Sequence, residues 1–178
     1  MFNMIEGVNL YLGNDSPNLK GATFLEIENL KLPDLEAPTI AHTPGGGIMG
    51  VNYVVAGIAP LVFPFKLRGM NPDRLVAFGY GSFESRHYTG FGMVRDKMSG
   101  AKSDVTVVVE GVLNKISSNA FTKNEGVDFD YEVNQVTSYL LRMGTRILFD
   151  IDMRTNKFIR DGVDIFADYN RALRIPTA

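Results

Sequence analysis

The sequence predicts a mainly β domain, a barrel or sandwich with one long hairpin and one short flanking α-helix. Residues 105–116 read VTVVVEGVLNKI, a β-branched run typical of a strand. Residues 129–143 alternate apolar and polar side chains, and Gly144 and the alternating run RILFDID follow, which predicts the long hairpin. The 178 residues fit one domain of ordinary size, so we expect a single domain over residues 1–178.

Two short strands are expected in the first part of the chain. Residues 8–12 (VNLYL) alternate apolar and polar side chains and precede GNDSPN, a cluster of turn formers. Residues 23–32 (TFLEIENLKL) are typical of a half-buried strand, which Pro33 should end.

Residues 37–65 contain no Asp, Glu, Lys or Arg, although 21% of the chain is charged. Prolines and a glycine triplet interrupt every window of the roughly 20 apolar residues that a membrane helix needs. The stretch is also longer than one buried strand of about 5 or 6 residues requires, although burial in the chain's own core is the alternative. Because a large apolar patch usually marks a contact with another chain, we expect a hairpin here that copies of the same protein cover.

The two strands of that hairpin are expected to be VNYVVAG and PLVFPFKLRG, with the bend at residues 57–60. Residues 37–68 are therefore predicted to be an inter-subunit loop and hairpin. The candidate self-assembly interface comprises nine apolar side chains: Ile48, Met49, Val51, Tyr53, Val55, Ile58, Leu61, Phe63 and Phe65.

One helix signal stands out, at residues 71–79. Asn71 suits the N-cap, Pro72 the first helical position, and Asp73 the first turn, where the helix dipole favours a negative charge. Gly79 suits the C-terminal stop, which predicts a helix of about two turns.

Strands are expected again from residue 80 onward, with KMSGAKSD as a polar hairpin loop before the β-branched run. The end of the chain is expected to start as a loop and to finish in a short helix over residues 164–173.

Composition excludes several classes of function. The formal net charge is −2 and no block of Lys or Arg occurs, so the chain lacks the electrostatic footprint of a tight nucleic-acid binder, whereas passive passage of nucleic acid is compatible with it. The absence of Cys excludes disulfides and thiolate sites. The first residues lack the pattern of a signal peptide, and we expect a chain made and kept in a cytoplasm, or assembled there before release.

The sequence offers little to catalysis, and we predict no enzyme, no cofactor and no metal. His42 and His87 accompany no GxSxG, so structural roles are favoured for both. The glycines near residues 90 and 100 match neither a dinucleotide loop nor a phosphate loop. Two pairs of Asp could bind a hard cation or act as acid and base, but a solvated strand face is the favoured interpretation. These pairs are Asp128 with Asp130, and Asp150 with Asp152.

The last third of the chain, together with LKLPDL at residues 30–35 and GGGIM at residues 45–49, resembles the major tail tube proteins of P2-type contractile phages. It is also similar to the tube subunits of R-type pyocins. The resemblance spans nearly the full length. The matching positions of the last third are Tyr139, Gly144, Ile151-Asp152, Asn156, Gly162-Val163-Asp164, Arg171 and Arg174.

The resemblance implies a tail-tube-like fold and six-membered rings that stack into a tube inside a contractile sheath. Hairpins of neighbouring subunits would close an inner barrel, which removes free sheet edges, and DNA would pass through the channel without specific binding. The implied partners are further copies of the chain, the sheath, the tape-measure protein, the baseplate and the tail terminator. The implied location is the virion tail, after assembly in the host cytoplasm.

Alternatives remain at the sequence level. The particle could be a phage tail, a phage-derived bacteriocin or a secretion device. A pore-forming hairpin protein is a further alternative, but Val54-Val55 and Leu61-Val62-Phe63 break the alternation of apolar and polar residues that a membrane hairpin needs.

Overall fold

The computed structural model describes residues 2–13, 21–123 and 126–176, and within these ranges the chain is mainly β, as predicted. The first half contains five strands and a helix: β1 (Asn3–Leu12), β2 (Ile27–Leu30), β3 (Thr39–His42), β4 (Val51–Val54), β5 (Phe63–Arg68) and α1 (Pro72–Val76). The second half contains six strands and a helix: β6 (Arg86–Asp96), β7 (Lys102–Ser118), β8 (Asp128–Met143), β9 (Arg146–Asp152), β10 (Lys157–Arg160), β11 (Val163–Asp164) and α2 (Ala167–Leu173).

Strand β8 organises the main antiparallel sheet, whose order is β1-β6-β7-β8-β9-β10-β11. Along one side it pairs with β7. Along the other side its first half pairs with β5, from Arg68 opposite Asp128 to Phe63 opposite Val133. Its second half pairs with β9, and β2 adds to the outer side of β5. The hairpin β8–β9 therefore matches the predicted long hairpin.

A bulge divides the two halves of β8. Glu110 and Val112 on β7 pair with Ser138 and Asn134, so Gly111 alone lies opposite residues 135–137. Gln135 has a φ of 50°, which is unusual for a residue with a side chain. A Cβ on Gly111 would lie 2.8 Å from the carbonyl oxygen of Asn134, so the close approach of the two strands requires glycine there.

The core is formed by side chains of β1, β5, β6, β7 and β8. Phe63, Phe65 and Leu67 of β5 point inward and are almost completely buried. The Phe65 ring stacks on Tyr131 with centroids 5.0 Å apart, and burial raises the pKa of Tyr88 to about 12. Other members of the core are Leu10, Val107, Val109, Leu113, Phe129, Val133, Tyr139 and Leu141.

Helix α1 begins as predicted but is shorter. The Asn71 side chain accepts a hydrogen bond from the Asp73 backbone N–H at 3.1 Å, and Pro72 is the first helical residue. The helix ends at Val76 rather than near Gly79, because the Gly79 N–H donates to the Leu113 carbonyl oxygen at 2.8 Å beside β7.

Several other expectations need correction. Only Ile27–Leu30 of residues 23–32 form a strand, whereas β1 starts at Asn3, earlier than predicted. The C-terminal loop contains strands β10 and β11, and α2 starts at Ala167 rather than at residue 164. The predicted hairpin of VNYVVAG with PLVFPFKLRG is wrong, since β4 pairs with β3 and β5 pairs with β2 and β8.

Candidate assembly interface

The β3–β4 hairpin (residues 39–54) is a separate two-stranded sheet within the uncharged stretch. Thr39 lies opposite Val54, and His42 lies opposite Val51. At its base the Val55 N–H donates to the Pro38 carbonyl oxygen at 2.9 Å, and at its far end the Gly47 N–H donates to the Pro44 carbonyl oxygen at 3.1 Å. The hairpin therefore holds itself together by its own backbone hydrogen bonds.

Every residue of β3 and β4 is exposed. At the tip, the exposed fraction is 107% for Ile48 and 70% for Met49. Ile40, Val54 and Tyr53 are also exposed, and the Tyr53 ring lies 6.1 Å from the ring of His42. An isolated two-stranded hairpin is marginally stable in water, and a contiguous apolar patch of this kind usually marks a contact surface.

The nine residues predicted as the interface fall into three groups. Ile48, Met49, Val51 and Tyr53 are exposed on the hairpin or its loop. The next three, Val55, Ile58 and Leu61, are half-buried. The prediction is wrong for the last two, Phe63 and Phe65. Their exposed fractions are 0% and 3%, because β5 belongs to the chain's own core.

Ile40 and Val54 are exposed residues of the hairpin that the sequence reasoning did not include. Ile40 lies opposite Tyr53, and Val54 lies opposite Thr39, so both residues belong to the antiparallel pair of β3 and β4. The sequence contains a signal for this hairpin. The uncharged segments TIAH and VNYV flank the glycine-rich loop, so they can pair with each other across it.

An apolar groove with a volume of about 450 Å³ lies next to the base of this hairpin. Residues 57–61, which lead from β4 to β5, form one wall, and the bulge of β8 at residues 134–139 forms another. We call it the β8 groove. Its apolar lining includes Ile58, Leu61, Val136, Ile151, Met153, Phe158 and Phe166.

A compact ion-pair network covers the outer side of β5 and β8. Lys66 Nζ lies 2.8 Å from Asp128 and 3.1 Å from Glu28, and Arg68 bridges the same two carboxylates at 3.2 and 2.8 Å. The Lys66 ammonium and the Arg68 guanidinium lower the pKa of Asp128, and the two carboxylates raise the pKa of Lys66. These four charges are therefore paired within the chain.

Both members of the second Asp pair make polar contacts within the chain. Lys157 Nζ lies 2.8 Å from Asp150, and the Arg154 backbone N–H donates to Asp152 at 2.8 Å. Within residues 2–13, 21–123 and 126–176, no group of three or more His, Cys, Asp or Glu could hold a metal ion. The expected solvated strand face holds for Asp130, which is exposed, whereas Asp128 is buried and Asp150 and Asp152 are half-buried in polar contacts.

A second exposed apolar surface, which the sequence reasoning missed, lies between α1 and β6. The rings of Phe78 and Tyr80 stack with centroids 6.3 Å apart, and Phe83 meets Tyr80 edge-on at 6.1 Å. Phe83 has a φ of 49°, so this loop holds a bulky residue in the left-handed region.

In the described part of the chain, no helix is long and apolar enough to cross a membrane. An antiparallel β domain that exposes an apolar hairpin has a surface suited to contact with another chain. The family model for phage tail tube protein FII matches residues 3–173, and the chain belongs to this family. The protein is thus a structural, non-enzymatic tail component, and the resemblance seen in the sequence is confirmed.

Three solved structures of contractile systems match the chain at low identity and with TM-scores below 0.5. The sheath/tube terminator of the PVC extracellular contractile injection system is 12% identical over 79% of this chain and 94% of that chain, with a TM-score of 0.47. A chain of the baseplate of the anti-feeding prophage (AFP) is 13% identical over 76% and 89%, with a TM-score of 0.47. A chain of the PVC sheath-tube complex is 10% identical over 73% and 86%, with a TM-score of 0.45. No curated protein matches the sequence.

Proposed function

We propose that the protein forms six-membered rings that stack into the tube of a contractile tail and enclose a channel for DNA ejection. The observation that carries the proposal is the β3–β4 hairpin, which exposes Ile40, Ile48 and Met49 and carries no charge. Such a surface needs an apolar cover, and identical subunits supply one in every copy of an assembly.

Electrostatics support DNA passage rather than DNA binding. The formal net charge is −2, and Lys66 and Arg68 are neutralised by Glu28 and Asp128 within the chain. Cations that are paired in this way do not hold phosphates or release their counterions, and we propose that the channel is lined mainly by neutral, acidic or paired side chains. We therefore propose that the polyanion slides through the tube without specific contacts.

The proposed partners are those of a contractile tail. They comprise the sheath around the tube, the tape-measure protein inside it, the baseplate at one end and the tail terminator at the other. The tube would form in the host cytoplasm and remain in the virion. A tube subunit of a phage-derived bacteriocin or secretion device would make the same contacts with its own sheath and baseplate.

Negative-stain microscopy of the concentrated protein tests the proposal. We expect rings or hollow rods, and class averages of end views with six-fold symmetry. Monodisperse small particles at every protein concentration and salt concentration would overturn the tube function. Another rotational symmetry would overturn the ring size alone.

A further inference from the structure

The geometry points to the β8 groove as the receptor for the hairpin tip of a second copy of this chain: we propose that Ile48 and Met49 of one subunit insert into the groove of the next. This inference rests on the proposed function and names the two surfaces that meet in the assembly. It joins two features that the single chain leaves uncovered, an apolar tip and an apolar groove.

The tip of a hairpin cannot occupy the groove at its own base. Met49 lies about five residues before the end of β4, a separation of roughly 16 Å in extended chain, and the groove wall starts at Gly57. Ile48 is fully exposed, so its side chain contacts nothing within its own chain. The groove is therefore free to receive a segment of another chain, and a sister subunit carries a matching apolar tip.

The chemistry of the two surfaces is complementary. Residues 43–50 (TPGGGIMG) have no charge, and their glycines leave backbone groups that need hydrogen-bond partners. The two charged residues of the groove are occupied already: Lys157 pairs with Asp150, and Asp152 accepts the Arg154 backbone N–H. The remaining polar lining consists of amides and hydroxyls. Asn134, Thr137 and Asn156 already hydrogen-bond to Asn114, Arg154 and Asn170, and Gln135 and Ser138 can pair with a peptide backbone.

The groove is a built feature of the fold. Its wall exists because the bulge at residues 135–137 moves β8 away from β5 and towards β9. Gln135 adopts a left-handed backbone conformation in the bulge, and backbone strain of this kind clusters at functional positions. A volume of about 450 Å³ falls in the range of natural binding pockets.

The contact is head to tail, because the tip and the groove are different surfaces. Such a heterologous contact closes into a ring or continues as a stack, according to the rotation between copies. Each subunit gives one tip and receives one, so every groove within the assembly is filled.

Site-directed cross-linking in the full chain tests the inference, because the protein has no cysteine of its own. Met49→Cys and Met153→Cys variants are purified separately with tags of different mass, mixed, assembled and treated with a short bis-maleimide. We expect the mixed dimer as the main product. The matched control replaces Met153→Cys with Met98→Cys, an exposed position in the β6–β7 loop outside the groove, which should yield about tenfold less dimer.

The outcomes separate the two proposals. Rods in the microscope without cross-linking of Met49→Cys to Met153→Cys, or with equal cross-linking to Met98→Cys, would overturn the groove as receptor and leave the tube intact. Absence of any assembly would overturn the proposed function and this inference with it.

As a second variant, Ala59→Phe should fill the groove and raise the critical concentration for assembly by about tenfold or more, with an unchanged melting temperature.

Discussion

The bulge of β8 requires a residue without a side chain at Gly111, on the neighbouring strand β7. A Cβ there would lie 2.7 Å from Val133 Cγ1 and 2.8 Å from the Asn134 carbonyl oxygen. We expect Gly111→Ala to lower the free energy of unfolding by about 1 to 3 kcal/mol, because backbone must shift to make room. Gly7→Ala in β1 is the matched control, since nothing lies within 4 Å of its added Cβ. Equal urea midpoints for the two variants would contradict this account of the bulge.

Asp128 links stability to pH. Lys66 and Arg68 lower its pKa, so its carboxylate stabilises the fold above the pKa of the unfolded chain, and this contribution is lost as the pH falls through the lower folded pKa. We expect the stability of the wild type to drop between about pH 5 and pH 2, and Asp128→Asn to be less stable at pH 7 with a shallower acid dependence.

Thermal unfolding across this pH range measures the effect. Asp34→Asn is the control, because Asp34 forms an exposed i,i+3 pair with Lys31 on the surface. If the melting temperature of Asp128→Asn fell with pH as steeply as that of the wild type, the contacts of Asp128 with Lys66 and Arg68 would not contribute to stability.

At the level of elements, the uncharged stretch contains two structures with different roles. Phe65 in β5 stacks on Tyr131 in the core, whereas Tyr53 in β4 is exposed. We expect Phe65→Ala to cost about 3 to 5 kcal/mol of folding stability, as for other buried aromatic residues. Tyr53→Ala should leave the urea midpoint within error and weaken assembly instead. The reverse pattern would exchange the roles that we assign to β4 and β5.

Several elements could be predicted from local chemistry. The N-cap of α1 is a short-range feature of Asn71 and Pro72, and the alternation of residues 129–143 survives in β8 because one face is buried. The alternation of Phe63, Phe65 and Leu67 with Pro64, Lys66 and Arg68 also indicated a half-buried strand. The lack of charge in residues 37–65 predicts an interface, whereas the alternation within β5 predicts a core strand, and the structure agrees with the alternation.

Pairings and cavities depend on distant residues and could not be predicted in the same way. Asp161 and Gly162 both have positive φ, as a two-residue hairpin between β10 and β11 requires, yet the strands are too short to show a period. The β8 groove forms where residues 57–61 meet the bulge of β8 and the β9–β10 turn, and no single segment reveals it.

At the scale of the whole molecule, the main sheet provides the stability of the domain and the β3–β4 hairpin provides the surface for assembly. The main sheet with β2 and β5 contains the core, and the hairpin forms its own two-stranded sheet. Because the Val55 N–H reaches the Pro38 carbonyl oxygen at 2.9 Å, the ends of the hairpin are close enough for a short turn to replace it. The domain and the capacity to assemble should therefore be separable by deletion.

The most direct measurement is microscopy of a variant in which a short Gly/Ser turn replaces residues 39–54, leaving β5 in place. We predict a soluble protein that unfolds at nearly the wild-type temperature, yet forms neither rings nor rods at concentrations where the wild type assembles. A folded variant that still formed tubes would contradict the claim that sister subunits cover this hairpin.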